Sequence, residues 1–206
     1  PYSVDYRFPK AKSLVGKSSL SLKDIQLYED SLNAYFTNSI NGSPTWYKPW
    51  FGNYEAALHA LDASYISSSN KRTAIHIDLW SPVATEKWRE LKDVERIKLQ
   101  SCTGYTFQQL LAKIDPYVII TCMNDKFIKQ TYTNSNNNPC EKGNACFCFE
   151  KKSHKGRTYA FIRAYRLMNN CVLIWGNSGS IPFAYQSQSG DIVPQIRKIR
   201  TIMGLP

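Results

Sequence analysis

The sequence has no apolar run long enough to span a bilayer, which argues against a helical membrane anchor within these residues. Residues 1–7 carry no apolar stretch resembling a secretion signal, so the expectation is a cytoplasmic protein with reduced thiols. Histidine is scarce, with only His59, His76 and His154. There is no Gly-x-Ser-x-Gly elbow, and the flexible Ser178-Gly179-Ser180 turn would still need a histidine partner to act as a serine hydrolase. Gly16-Lys17-Ser18 has the tail of a phosphate-binding loop, but Ala11 stands where its first glycine belongs and no strong strand leads in. A nucleoside-triphosphate site of that kind is therefore excluded. Acidic residues are also in deficit: 16 Asp and Glu against 26 Lys and Arg leave a formal charge of +10. A surplus of that size concentrates polyanions and speeds their encounter, and phosphate backbones are the commonest such partner.

What is present fits one globular α/β domain spanning residues 1–206, with 43% hydrophobic residues. Its 13 tyrosines, 5 tryptophans and 9 phenylalanines supply core, and any that remain exposed offer flat surfaces for bases. Six cysteines occur, at 102, 122, 140, 146, 148 and 171. The cluster Cys140, Cys146 and Cys148 has a C-x5-C-x-C spacing unlike that of standard zinc or iron–sulfur sites. Even with His154 as a possible fourth ligand, it reads as buried thiols or a loop feature, and no metal is assigned.

Apolar spacing predicts helices over residues 21–36, 53–61, 107–114 and 192–203, and another after Thr85 that includes Trp88 and Leu91. Strands are expected over residues 73–80, 117–122, 146–150, 158–166 and 171–175. Asn41-Gly42-Ser43-Pro44 and residues 134–138 read as loops. Strands alternating with helices imply a layered fold with a mainly parallel sheet. In such sheets functional groups gather at the carboxyl ends of strands. Three ends stand out: residues 78–82, 122–125 and 176–182. Asp78 closes a very apolar run and shares a strand face with His76. A carboxylate there needs a partner or a ligand.

The run TAIHIDLWSPVAT (residues 73–85) resembles the second core strand of the uracil-DNA glycosylase superfamily. WFGNYEAALHALDASY before it, IDPYVIITCMND after it and WGNSGSIPF later follow the same order, so the resemblance of pattern covers residues 50–183. The resemblance implies a three-layer α/β/α sandwich that flips a nucleotide out of DNA and hydrolyses its N-glycosidic bond without a metal or cofactor. It implies that Asp78 reads the edge of the flipped base, with Tyr2, Trp80 and Ser81 also contacting substrate. An ionised aspartate only accepts hydrogen bonds, which suits the amino group of a cytosine-type base better than the carbonyl of uracil. A protonated Asp78 would still bind uracil.

The resemblance implies that Asn177 is the nearest replacement for the family's late histidine, which is missing here, as donor to the departing base, and that Ser178, Gly179 and Ser180 take the place of its phosphate-contacting loop. Asp5 is the candidate water-holding carboxylate, although no buried strand precedes it as in the family's first motif. The expected partner is single- or double-stranded DNA bound by a monomer, in repair or in defence against modified foreign DNA. A non-catalytic nucleic-acid-binding protein of the same fold is the alternative, favoured by the missing histidine and missing first motif, whose strand either lies outside this sequence or is rebuilt. An unrelated metal-dependent nuclease ranks below both, since Asp78 and Asp125 are too few carboxylates at strand ends.

Overall fold

The computed structural model describes residues 19–35, 39–40, 43–44, 48–65, 70–77, 90–123, 125, 128, 131, 144–167, 170–176 and 192–206. The chain divides into two compact units, Pro1–Lys48 with Thr73–Asp115, and Pro49–Arg72 with Pro116–Pro206.

In the first unit, helix α1 (Leu22–Tyr35) opens with a reciprocal cap. The Asp24 N–H donates to Ser21 Oγ at 3.2 Å and the Ser21 N–H donates to Asp24 Oδ2 at 3.0 Å, satisfying donors that a helix start leaves open. A short pairing of β1 (Ser39–Ile40) with β2 (Ser43–Pro44) follows. The later helix of this unit, α3 (Asp93–Ile114), starts well before the expected residue 107. Its first half has no strong apolar stripe. Its start is set by charge and capping: Asp93 and Glu95 occupy the first turn, and Glu95 accepts the Lys92 N–H at 2.8 Å. It ends where Asp115 turns left-handed (φ 45°). Gln109 clips α3 to the approach of α1, accepting the Leu20 N–H at 3.2 Å, while Leu20, Ile25, Phe107 and Leu110 are buried.

The second unit begins with α2 (Lys48–Ala60), which extends further toward its amino end than the apolar spacing indicated. Pro49 falls in its first turn, where a missing N–H costs nothing. Two short strands follow, β3 (Ala63–Ser64) paired with β4 (Arg72–Thr73). Of the strand expected over residues 73–80, only Thr73 is in a strand: residues 74–77 carry no regular structure, and 78–80 lie outside the described residues. Apolar alternation makes a strand only where an edge offers a ladder.

The main sheet contains β5 (Val118–Thr121), β6 (Phe147–Lys152), β7 (Thr158–Arg166) and β8 (Val172–Gly176) in the order β5-β8-β7-β6. The sheet is mixed. β5 and β8 are parallel, whereas β8–β7 and β7–β6 are antiparallel. This corrects the expectation of a mainly parallel sheet, and connection length explains it. Short links join β6 to β7 and β7 to β8, and only a long crossover can return a chain in parallel.

Period-two alternation gives the sheet two buried faces. Ile162, Ala164, Val172 and Ile174 pack with Ala57, Ala60 and Leu61 and with Ile192, Ile196, Ile199 and Met203 of α4 (Ile192–Ile202) and its end. The opposite face gathers Tyr165, Leu173 and Trp175 with Ile128. Arg166 donates from Nη2 to the Met203 carbonyl at 2.8 Å, meeting an acceptor that the end of α4 leaves open. Among the described residues no helix is long and apolar enough to cross a membrane.

The β6–β7 turn is tightly held. Gly156 N–H donates to the Ser153 carbonyl and Ser153 N–H to the Arg157 carbonyl, each at 2.8 Å. Gly156 adopts φ +73° with open space where a Cβ would sit. Gly156→Ala should therefore destabilise the protein by about 1 kcal/mol through left-handed backbone strain alone. A chemical-denaturation midpoint unchanged by the substitution would show that the turn relaxes freely.

Candidate functional site

The parallel pairing of β5 with β8 sets Thr121 opposite Trp175, so their carboxyl ends lie side by side. Met123 and Gly176 lead out from this edge. Trp175 Nε1 ties the two exits together by donating to the Met123 carbonyl at 2.9 Å. The Met123 N–H in turn donates to Thr121 Oγ1 at 3.2 Å. Two of the three strand ends singled out in the sequence are thus neighbours. The third, around Asp78, lies outside the described residues.

The next strand outward supplies a buttress. Phe161 meets Trp175 edge-on, with ring centroids 5.0 Å apart and planes at 82°. The Arg163 guanidinium carbon lies 4.4 Å from the Phe161 centroid and 5.6 Å from that of Trp175. Arg163 Nη2 donates to Glu150 Oε1 at 3.0 Å, across from β7 to β6. Both side chains are largely buried, at 16% and 11% exposure. Burial pulls the Arg163 pKa down, but the Glu150 hydrogen bond, with Tyr165 and Cys148, carries it above its ordinary value. Among the described residues its Nε is buried with no acceptor. Trp175 is only 3% exposed, so it cannot serve as a stacking platform here. The group packs against Trp175, whose Nε1 holds the Met123 carbonyl at the β5 exit. A sequence reader has one signal for it, the alternation Phe161, Arg163, Tyr165, which puts a cation in an aromatic row.

On the other side of β5, Tyr54 Oη donates to Cys122 Sγ at 3.9 Å. Nearby, Glu55 is a hub. Its Oε2 accepts from Ser64 Oγ at 2.8 Å and lies 2.8 Å from His59 Nε2, while its Oε1 accepts the Tyr65 N–H at 2.9 Å. Serine, histidine and carboxylate meet here, but with the carboxylate in the middle. Ser64 gives its proton to Glu55 and not to His59, so these three residues are not arranged as a hydrolytic triad. Burial raises the Tyr65 phenol, with Glu55 and Cys122 adding to the effect.

The cysteine expectation needs correction. Cys146 and Cys148 are exposed, not buried. They alternate with Phe147 and Phe149, which take the helix-packed face of the sheet. His154 stands in the β6–β7 turn, at the other end of β6 from Cys146, roughly 20 Å along an extended strand, which rules it out as a shared ligand. Among the described residues no group of three or more His, Cys, Asp and Glu side chains could hold a metal ion. His76 is half-buried in a segment without regular structure. The sequence-assigned residues Tyr2, Asp5, Asp78, Trp80, Ser81, Asn177, Ser178, Gly179 and Ser180, and also Cys140, lie outside the described residues.

Two outcomes test this geometry. Glu150→Ala should cost about 3 kcal/mol by leaving Arg163 without its carboxylate, and adding Arg163→Met should recover most of it. Urea unfolding of both variants checks this; a single-variant loss under about 1 kcal/mol would mean that solvent screens the pair. The second outcome concerns pH. The folded Tyr65 pKa lies above its ordinary value of 10.0, so its contribution is complete below pH 10 and is lost as the unfolded chain ionises above it. Tyr65→Phe should therefore flatten the fall in stability that begins near pH 10 and continues above it. An equally steep fall would remove Tyr65 from that role.

No protein-family model matches the chain, and neither a curated protein nor a solved structure matches it.

Proposed function

We propose that the protein is a DNA glycosylase that flips a base out of DNA and hydrolyses its N-glycosidic bond, with a lean toward cytosine or a modified cytosine. The observation that carries the reading is the register of Thr121 with Trp175. The carboxyl ends of β5 and β8 share an edge, and the Asn177–Ser180 sequence follows directly from β8 at that edge. The formal charge of +10 supports a polyanionic substrate. Helices α2 and α4 on one sheet face, with Ile128 buried against the other, support the three-layer form of the fold.

In this reading Asp5 holds the attacking water and Asn177 donates to the departing base. Asp78 accepts from the amino group on the base edge, beside Tyr2, Trp80 and Ser81. Ser178, Gly179 and Ser180 meet the flanking phosphates. Flipping costs a few kcal/mol, which base-edge hydrogen bonds in a closed pocket offset. No metal or cofactor enters the reaction, and the protein works as a cytoplasmic monomer in repair or in defence against modified foreign DNA.

The test is a cleavage assay with a chelator present, on DNAs carrying uracil, cytosine, 5-hydroxymethylcytosine or glucosylated cytosine. Breaks that develop only after alkali or heat are expected in a cytosine-type substrate. Asp78→Asn should then move preference toward uracil by about tenfold or more, the worth of a good base-edge contact. Activity on every base unchanged by that substitution would remove Asp78 from base reading. No breaks in any substrate, with salt-dependent retention on DNA intact, would establish the alternative: a nucleic-acid-binding protein that keeps the fold without the chemistry.

A further inference from the structure

The β6–β7 hairpin carries Lys151, Lys152, Lys155 and Arg157, with His154 between them and no acidic residue from 151 to 157. Lys152, His154, Lys155 and Arg157 are exposed. The acid just before them, Glu150, is engaged by Arg163. The hairpin is therefore a concentrated block of positive charge with no acid within residues 151–157.

Its place in the sheet gives that charge a direction. The final residue of β8, Gly176, pairs with Ile162 of β7. β7 runs four residues further, Thr158 to Phe161, paired with β6. Because β7 is antiparallel to β8, this extension projects past the carboxyl end of β8, roughly 13 Å at the rise of an extended strand. The basic turn thus stands out beyond the edge from which the chain leaves β5 and β8.

The arm is also pre-organised. Its turn is closed by two backbone hydrogen bonds of 2.8 Å and by a third from the Arg157 N–H to Ser153 Oγ at 3.3 Å. Its root is held by the buried Glu150–Arg163 pair. A rigid cationic finger loses little conformational freedom when it meets a ligand. Flexible lysines on a mobile loop would lose more.

We propose that the β6–β7 hairpin is a nucleic-acid clamp: Lys152, Lys155 and Arg157 bind the phosphate backbone flanking the β5–β8 edge. The inference rests on the nucleic-acid reading of the protein but not on its catalytic part. It adds an element that fixes the substrate's path without reading its sequence.

The experiment measures the affinity of the full chain for a short DNA duplex between about 50 and 200 mM salt and takes the slope of log K against log salt. Lys152→Gln, Lys155→Gln and Arg157→Gln are combined in one variant that keeps Ser153 and Gly156, so the turn is unchanged. An Arg197→Gln, Lys198→Gln variant of the exposed face of α4 serves as the comparison. Loss of two to three phosphate contacts should flatten the slope by about 2 to 3 in the hairpin variant and by less than about 1 in the α4 variant. A hairpin variant with the parent slope, or equal flattening per charge removed in both variants, would overturn the clamp while leaving nucleic-acid binding intact. A parent chain with no salt-dependent DNA binding would overturn the nucleic-acid reading and the clamp with it.

Discussion

Every residue of β8 is buried, and each backbone N–H and C=O it carries must find a partner inside the sheet. That requirement organises the second unit. β5 satisfies one side of β8 in parallel and β7 satisfies the other in antiparallel. Apolar side chains then leave β8 alternately toward the helices α2 and α4 and toward the Ile128 face. The exits at Met123 and Gly176 are neighbours because β8 cannot be buried without both flanking strands.

The second constraint is the cost of a buried charge. Arg163 lies in the row between Cys148 and Trp175, where a guanidinium is tolerated only with a carboxylate and ring faces around it. Glu150, Phe161 and Trp175 provide both. The pair joins strands β6 and β7 near the point where they leave the four-stranded sheet, so the same interaction that makes Arg163 tolerable also stiffens the root of the hairpin. A hydrophobic pair of equal volume could match its stability, which makes its cross-strand geometry more informative than its energy.

Much of this was legible in the sequence, and the misses share a cause. β7 and α4 follow the expected spans closely because alternation and helical spacing report directly on buried faces. The early half of α3 did not show because its start rests on Asp93 and Glu95 and not on an apolar stripe. Residues 74–77 carry no strand despite their apolar alternation, because propensity says nothing about whether a pairing edge exists. The sheet direction could have been inferred from the short β6–β7 and β7–β8 links, which permit only antiparallel neighbours. The Glu150–Arg163 contact could not, because it depends on the cross-strand register. At the candidate site, sequence pointed to the exits of β5 and β8, and these meet. The residues assigned chemistry beyond them lie outside the described structure.

The order β5-β8-β7-β6 has one further implication. In sequence the hairpin lies between β5 and β8, but in the sheet it lies to one side of them. β8 returns past the hairpin to pair with β5, so the edge that carries the candidate site is closed after the hairpin has been laid down. The length and charge of the hairpin tip can therefore vary without altering the register of Thr121 with Trp175. Under the proposed function, this arrangement separates two tasks that a nucleic-acid enzyme must perform together. Chemistry needs fixed strand ends, whereas holding a backbone needs only charge at a reachable distance. In that proposal the buried Glu150–Arg163 pair at the hairpin root would join the two tasks mechanically.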